Sequence, residues 1–258
     1  MQFKNKRAIV TGGANGIGRT IVQYFLKAGA RVIVIDLDAP DRQSFMQGLP
    51  HPLVGGAPTR PPSIFQGDIA DSATLEKFVE SLSAPVDFLI HNACVSRKGL
   101  QSNCSWEDFE YVQRVGVTAP YYLTQLLLSR NLLEKDASIV NIASTRAFQS
   151  QADTESYTAA KGGILALTHS MSISLAGKAR VNAISPGWID TTNSAYGAKD
   201  ETQHPVGRIG KSEDIAEMVM FLCDNTKSSF ITGENIVVDG GMSKLMIYNN
   251  EKGWRFGE

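Results

Sequence analysis

The feature that most limits the folds open to this chain is the string Thr11-Gly12-Gly13-Ala14-Asn15-Gly16-Ile17-Gly18. The short apolar run Ala8-Ile9-Val10 leads into it, and a helix-like pattern runs from Ile17 to Ala28, stopped by Gly29. Glycines at 12, 16 and 18 allow a tight turn, close approach of backbone to a pyrophosphate, and close packing of helix on strand. The helix start then offers free N–H groups and the positive end of its dipole. A glycine string alone is weak evidence; the strand–turn–helix setting strengthens it.

The same alternation continues down the chain. Val32-Ile33-Val34-Ile35 is β-branched and ends at Asp36. Further short apolar runs are Ile64-Phe65, Val86 to Ile90, Ile139 to Ile142, Val181 to Ile184 and Ile236 to Val238. Helical patterns lie between them near 72–82, 105–131, 154–176 and 212–223. Near-continuous apolar strands separated by amphipathic helices predict an α/β fold. It is a Rossmann-type, doubly wound parallel sheet of about seven strands, with helices on both faces. The 258 residues read as a single domain over 1–258, large enough to need no disulfide or metal staple. The Pro- and Gly-dense segment 48–63 reads as a surface loop between the second and third strands.

Composition excludes several classes. Lys plus Arg number 25 against 26 Asp plus Glu, so the net charge is −1, without the basic excess of a nucleic-acid binder. No apolar run approaches a membrane span, and the first ten residues hold too short an apolar stretch for a signal peptide. Cys94, Cys104 and Cys223 lie far apart and form no CxxC pair, which predicts free thiols in a reducing cytoplasm. His51, His169 and His204 show no metal-ligand spacing, so no metal is expected.

Asp36 closes the second apolar run, where an acid can accept hydrogen bonds from adenosine ribose hydroxyls and would repel a 2′-phosphate. No Lys or Arg stands at Ala14, Asn15 or Leu37 to offset it, so NAD is favoured over NADP.

The TGxxxGxG string at 11–18, together with Tyr157-Thr158-Ala159-Ala160-Lys161 (YxxxK), resembles the short-chain dehydrogenase/reductase family, classical type, over nearly the whole chain. The resemblance implies dinucleotide contacts from Thr11, Gly12, Asn15, Gly16, Ile17 and Gly18, with Asp36 and Leu37 at the ribose. Asp68-Ile69 resembles the family's adenine-facing pair, and Asn92-Ala93 stands where the family has Asn-Asn-Ala-Gly. Asn141-Ile142-Ala143-Ser144 resembles the strand that carries the catalytic Ser. Pro186-Gly187-Trp188-Ile189-Asp190-Thr191 resembles the loop that holds the nicotinamide amide. Gly207-Arg208-Ile209-Gly210 and Val238-Asp239-Gly240-Gly241 match later landmarks.

That resemblance assigns catalysis to Ser144, Tyr157 and Lys161. Tyr157 and Lys161 are four apart, so one helix face presents both. A phenol free in water titrates near 10, and a neighbouring ammonium favours its anion. Tyr157 would exchange a proton with the substrate oxygen, Ser144 would hold that oxygen, and Lys161 would also grip the nicotinamide ribose. Two departures stand out. Gly116 replaces the family's helix-kink Asn, and Cys94 replaces the Gly of Asn-Asn-Ala-Gly, with His91 in place of its first Asn. Because Ser, Tyr and Lys are all kept, a compensated relay is expected, in which Gly116→Asn brings no large gain in rate. Cys94 reads as a buried, inert thiol and His91 as a structural imidazole, with relay membership the other reading.

Polar loops would overhang the nicotinamide: Ser96-Arg97-Lys98, Thr145-Arg146, Gln149 to Asp153, and Thr192-Asn193-Ser194 opening a lid over 192–206. Cys94, Ser96, Arg146, Trp188 and Asn193 are the expected substrate contacts. The expected reaction is NAD(H)-dependent interconversion of a secondary alcohol and a ketone on a sugar, polyol or small hydroxy acid. A non-catalytic NAD-binding sensor, a 3-oxoacyl or steroid-type reductase, and a lyase or epimerase are the rival readings. The family resemblance implies a homotetramer or homodimer paired through helices 105–131 and 154–176. The apolar tail at 242–258 is expected to dock, a neighbouring subunit being one place for it.

Overall fold

Seven apolar runs become the seven strands of one parallel sheet. The computed structural model describes residues 2–40, 61–192, 194–244 and 246. β1 (Arg7–Thr11), β2 (Arg31–Asp36) and β3 (Ser63–Gln66) alternate with α1 (Gly16–Lys27) and lead to α2 (Ser72–Glu80). β4 (Val86–His91) is followed by α3 (Trp106–Gln113), a π-helical turn (Arg114–Thr118) and α4 (Ala119–Ser129). β5 (Leu133–Ile142), α5 (Glu155–Ser174) and β6 (Ala179–Pro186) follow. Then come β7 (Ile189–Asp190), α6 (Ala198–Glu201), β8 (Gly210–Lys211), α7 (Ser212–Cys223), α8 (Asn225–Ser228) and β9 (Asn235–Val238).

The sheet order is β3-β2-β1-β4-β5-β6-β9, all pairs parallel. β4 is buried at every residue because helices cover both faces, which is why its sequence runs apolar instead of alternating. On one face Ile21 and Phe25 of α1 meet Ile215 and Val219 of α7, with Phe25 stacked on Phe88 at 5.4 Å. On the other, Phe78 of α2, Leu123 and Leu127 of α4 and Met171 of α5 share a second core. Among the described residues no helix is long and apolar enough to cross a membrane.

Two expectations need correction, and one further element was not foreseen. The long helical pattern at 105–131 is interrupted, because Pro120 has no N–H to bond four residues back to the Gly116 carbonyl. The ladder widens there, and the N–H of Ala119 bonds to the Arg114 carbonyl, five residues back. Of the segment expected as a loop over 48–63, Ser63 instead pairs with Ile33 in β3; residues 48–60 lie outside the described residues. A second, two-stranded sheet of β7 and β8 was not expected and ties the base of segment 192–206 together, with Gly210 N–H donating to the Trp188 carbonyl at 3.1 Å. Of the tail, Met242–Lys244 form a 3₁₀ turn, while 245 and 247–258 lie outside the described residues.

Candidate active site

The strand order reverses direction between β1 and β4, and a doubly wound sheet opens its binding crevice at the carboxyl ends of such a pair. Here the two ends are knotted together. Thr11 Oγ1 accepts from the backbone N–H groups of Asn92 (3.0 Å) and Ala93 (3.1 Å). Asn92 Nδ2 donates to the carbonyls of Thr11 (3.1 Å) and Gly12 (2.8 Å). Gly12 has φ +63°, and a Cβ there would sit 2.7 Å from Ala93 Cα. A Cβ on Gly18 would lie 2.0 Å from the Gly12 carbonyl oxygen. The turn therefore closes only with glycine at these two positions.

The knot shapes a cleft of about 600 Å³. Gly12, Asn15, Gly16, Ile17 and Gly18 form its floor. Asp36, Leu37, Asp68 and Ile69 line one end, and Asn92, Ala93 and Thr191 the other. α2 and α3 have side-chain caps, Asp71 and Ser105, whereas Asn15 makes no capping bond to α1, so among the described residues no side-chain cap covers the start of that helix beside the cleft. Asp36 Oδ2 accepts from Ala14 N–H at 2.8 Å and Oδ1 from Asp38 N–H at 3.1 Å. The carboxylate thus holds the glycine turn against the end of β2. Thr11 does not line the cleft, because its hydroxyl is spent on the knot.

Gly67, Val95, Tyr111 and Val115 also line the cleft and carried no sequence signal, and Arg97, expected in a loop over the nicotinamide, lines it too. Tyr111 Oη donates to Asp68 Oδ2 at 3.1 Å. Arg97 lies 5.5 Å from the Tyr111 ring centroid and pairs with Asp108 at 3.3 Å. Only the docking of α3 over the sheet edge brings them there.

Ser144, Tyr157 and Lys161 come together at the end of β5. Lys161 is buried (4% exposed), and its Nζ donates to the Ile142 carbonyl at 2.7 Å, which ties α5 to the strand that carries Ser144. The same ammonium lies 5.4 Å from the Tyr157 ring centroid. Ser144 Oγ accepts from Arg146 N–H at 3.2 Å, leaving the serine's own O–H free to donate. Ser144 and Tyr157 both border a second cleft of about 650 Å³, with Ser96, Arg146 and Trp188. Gly187 and Ile189 also face this second cleft, and Pro186 is buried in β6. Gln203 and Met242 border it as well, reached through segment 192–206 and the turn after β9. Trp188 is wedged edge-on to Tyr196 at 5.3 Å and lies 6.1 Å from the buried His204 ring.

Cys94 differs from its expectation twice. It lines the first cleft, not the second, and it is exposed instead of buried, because it sits just beyond the β4 end where the chain leaves the sheet. Asn193 lies outside the described residues. His91 is buried inside β4 and its Nε2 meets Thr124 Oγ1 at 3.1 Å. Thr124 donates to the Pro120 carbonyl, so the imidazole is the donor to the threonine. This is the structural reading of His91, facing α4 and not the clefts.

A family profile described as enoyl-(acyl carrier protein) reductase matches residues 12–243. An "uncharacterized oxidoreductase" of Thermotoga maritima is 38% identical over 95% of this chain and 99% of its own length. The chain belongs to the short-chain dehydrogenase/reductase family. As a member it is an oxidoreductase acting on CH–OH groups, and the family binds a nicotinamide cofactor. A 3-oxoacyl-(acyl-carrier-protein) reductase, FabG, of Chlamydia pneumoniae is 33% identical over 92% of this chain and 97% of its own. The solved structure of an apo SCOR enzyme from Clostridium thermocellum superposes with a TM-score of 0.84 at 44% identity, covering 97% of this chain and 98% of that one.

The family's helix-kink position falls in the π turn. A Cβ on Gly116 would lie 2.9 Å from Ala160 Cβ, one residue before Lys161. A Cβ on Gly163 would lie 2.9 Å from Val117 Cγ2. The widened turn therefore seats directly on α5. Gly116→Asn should overpack this contact and cost about 1–3 kcal/mol of stability, with no large gain in kcat; urea unfolding and initial rates check both.

A second expectation concerns acid. Burial pushes the His91 imidazole down to about 3, so it is neutral in the fold. The unfolded chain binds that proton near pH 6.5. Stability contributed by the neutral ring is complete above that pH and is lost as pH falls toward 3, by up to about 1.4 kcal/mol per pH unit. Urea midpoints should fall between pH 6.5 and 5, before carboxylates titrate, and His91→Gln should flatten that slope.

Proposed function

We propose that this protein is an NAD(H)-dependent oxidoreductase that interconverts a secondary alcohol and a ketone on a small polar substrate. The observation that carries this reading is the meeting of Ser144 and Tyr157 on a cleft that borders the glycine-turn crevice, with the buried Lys161 ammonium 5.4 Å from the Tyr157 ring centroid. Segments 93–97 and 187–191 border both spaces.

The residues of the first cleft fit a dinucleotide: a glycine floor that a Cβ would close, free helix N–H groups for the phosphates, and carboxylates at one end for the adenosine half. A bound nicotinamide would supply the hydride-transfer chemistry at the carbinol carbon. The protein's own task is the proton. Tyr157 takes the hydroxyl proton as the alcohol becomes a ketone and returns it to the carbonyl oxygen in the reverse direction. Ser144 donates its O–H to the same oxygen; the N–H of Arg146 bonded to Oγ polarises that hydroxyl. Lys161 places a positive charge where the phenolate forms, and its tether to Ile142 fixes where that charge stands.

Asp36 supports NAD over NADP. A 2′-phosphate would meet its carboxylate and that of Asp38, which accepts from Asn15 Nδ2 at 3.1 Å. Among the described residues the cation that lines this cleft, Arg97, is already paired with Asp108. The second cleft supports a hydroxylated substrate, since serines, a threonine and glutamines supply most of its polar lining. Exposed Trp106, Phe109 and Tyr121 on α3 and α4, with Ile173 on α5, support a homo-oligomer paired through these helices. The three free thiols accord with the cytoplasm.

Reduction of NAD across polyols, aldoses, hydroxy acids and sterols tests the assignment. Turnover of sterols alone, or a preference for NADP, would overturn its finer parts. Tyr157→Phe should lower kcat by about 10²–10⁴-fold while NADH binding, read by fluorescence, persists. Tight NADH binding with no turnover of any alcohol by the unmodified protein would instead favour a sensor.

A further inference from the structure

The second cleft is polar, but its charge is one-sided. Among the described residues Arg146 is the one ionised side chain that lines it, and no carboxylate does. Elsewhere Arg97, Arg114, Arg130 and Arg208 each face an acid. Among the described residues no acid lies within ion-pair distance of Arg146. A guanidinium carries five N–H donors in a planar fork, and Gln151 Oε1 takes one of them.

The cation is also held in place. Its guanidinium carbon lies 5.7 Å from the Tyr157 ring centroid, and its backbone N–H is bonded to Ser144 Oγ. The residue that presents the charge is thereby tied to both side chains that face the reacting oxygen. A preorganised fork with spare donors and no acid partner suits an oxyanion, which it can grip through two parallel bonds.

We infer that the substrate of this cleft carries an anionic group, a carboxylate or a phosphate, which Arg146 holds while the carbinol carbon faces Tyr157 and Ser144. The inference rests on the reading of Ser144, Tyr157 and Lys161 as the reacting groups and narrows the substrate to a hydroxy acid or a phosphorylated alcohol. Arg146 is then a specificity-determining residue. Its nearness to the reacting phenol fits an acid group only a few bonds from the carbinol carbon.

Matched pairs of alcohols test it with NAD as acceptor: 3-hydroxybutyrate against its methyl ester, gluconate against sorbitol, and glycerol 3-phosphate against glycerol. The charged member of at least one pair should exceed the neutral one in kcat/KM by about 10- to 100-fold. The identity of that pair distinguishes carboxylate from phosphate. Arg146→Gln should bring the ratio close to one, mainly through KM, and Arg146→Lys should keep part of it. A ratio near one in the unmodified enzyme, or a ratio unchanged by Arg146→Gln, would overturn the inference.

If no member of any pair is oxidised, the reaction reading fails first, and the NADH-loaded protein decides the anion site. Perturbation of NADH fluorescence by one of the three anions, weakened about tenfold or more in Arg146→Gln, would sustain the site without the reaction. No response to any of them at concentrations where NADH is saturating would overturn it.

Discussion

The β1–β4 knot is the contact on which the rest of the structure depends. One threonine hydroxyl and one asparagine amide satisfy four backbone groups at the two strand ends where the sheet changes direction. Without those bonds the strands would leave two N–H groups and two carbonyls to compete for water in the floor of a cleft. Gly12 lets the backbones of the two ends approach to a distance that any side chain would prevent. The crevice is therefore a consequence of local hydrogen-bond accounting, and the placement of Asp36 above it follows from the same turn, since Ala14 N–H holds that carboxylate.

A second constraint works at the other edge of the crevice. Burying an ammonium strips it of water at considerable cost, and in this fold the Ile142 carbonyl is its hydrogen-bond partner. The contact spans from helix to strand and sets the distance between Tyr157 and Ser144. The π turn then presses Gly116 onto Ala160, so the helix that carries Tyr157 and Lys161 is held from strand and helix alike. Replacing an asparagine by glycine at that position exchanges a polar side chain for closer packing. The two departures from the family pattern, at 116 and 94, are thus physically different. Gly116 is a packing contact, whereas Cys94 is an exposed side chain lining the cleft beside the glycine turn.

The strands were legible because each is buried on both faces, so period and composition agree; β4 is the plain case. The glycine turn and the Tyr–Lys spacing were legible because they act through local geometry, a tight turn and one helical repeat. Tyr111 and Met242 were not legible, since each reaches its cleft through the docking of an element with no local mark of it. Cys94 was misjudged for the same reason: thiols are usually buried, and only the path of the chain beyond β4 exposes this one.

The amino-acid sequence by itself determined the main element types and their order and marked the glycine turn and the Tyr157–Lys161 pair, because turn geometry, apolar periodicity and helical spacing are properties of short segments. Tertiary structure alone decided which cleft each residue faces, that Pro120 opens a π turn seated on α5, and that Arg146 stands without an acid among the described residues. Those outcomes depend on distances between segments far apart in the chain, which burial and packing fix only once the sheet has formed.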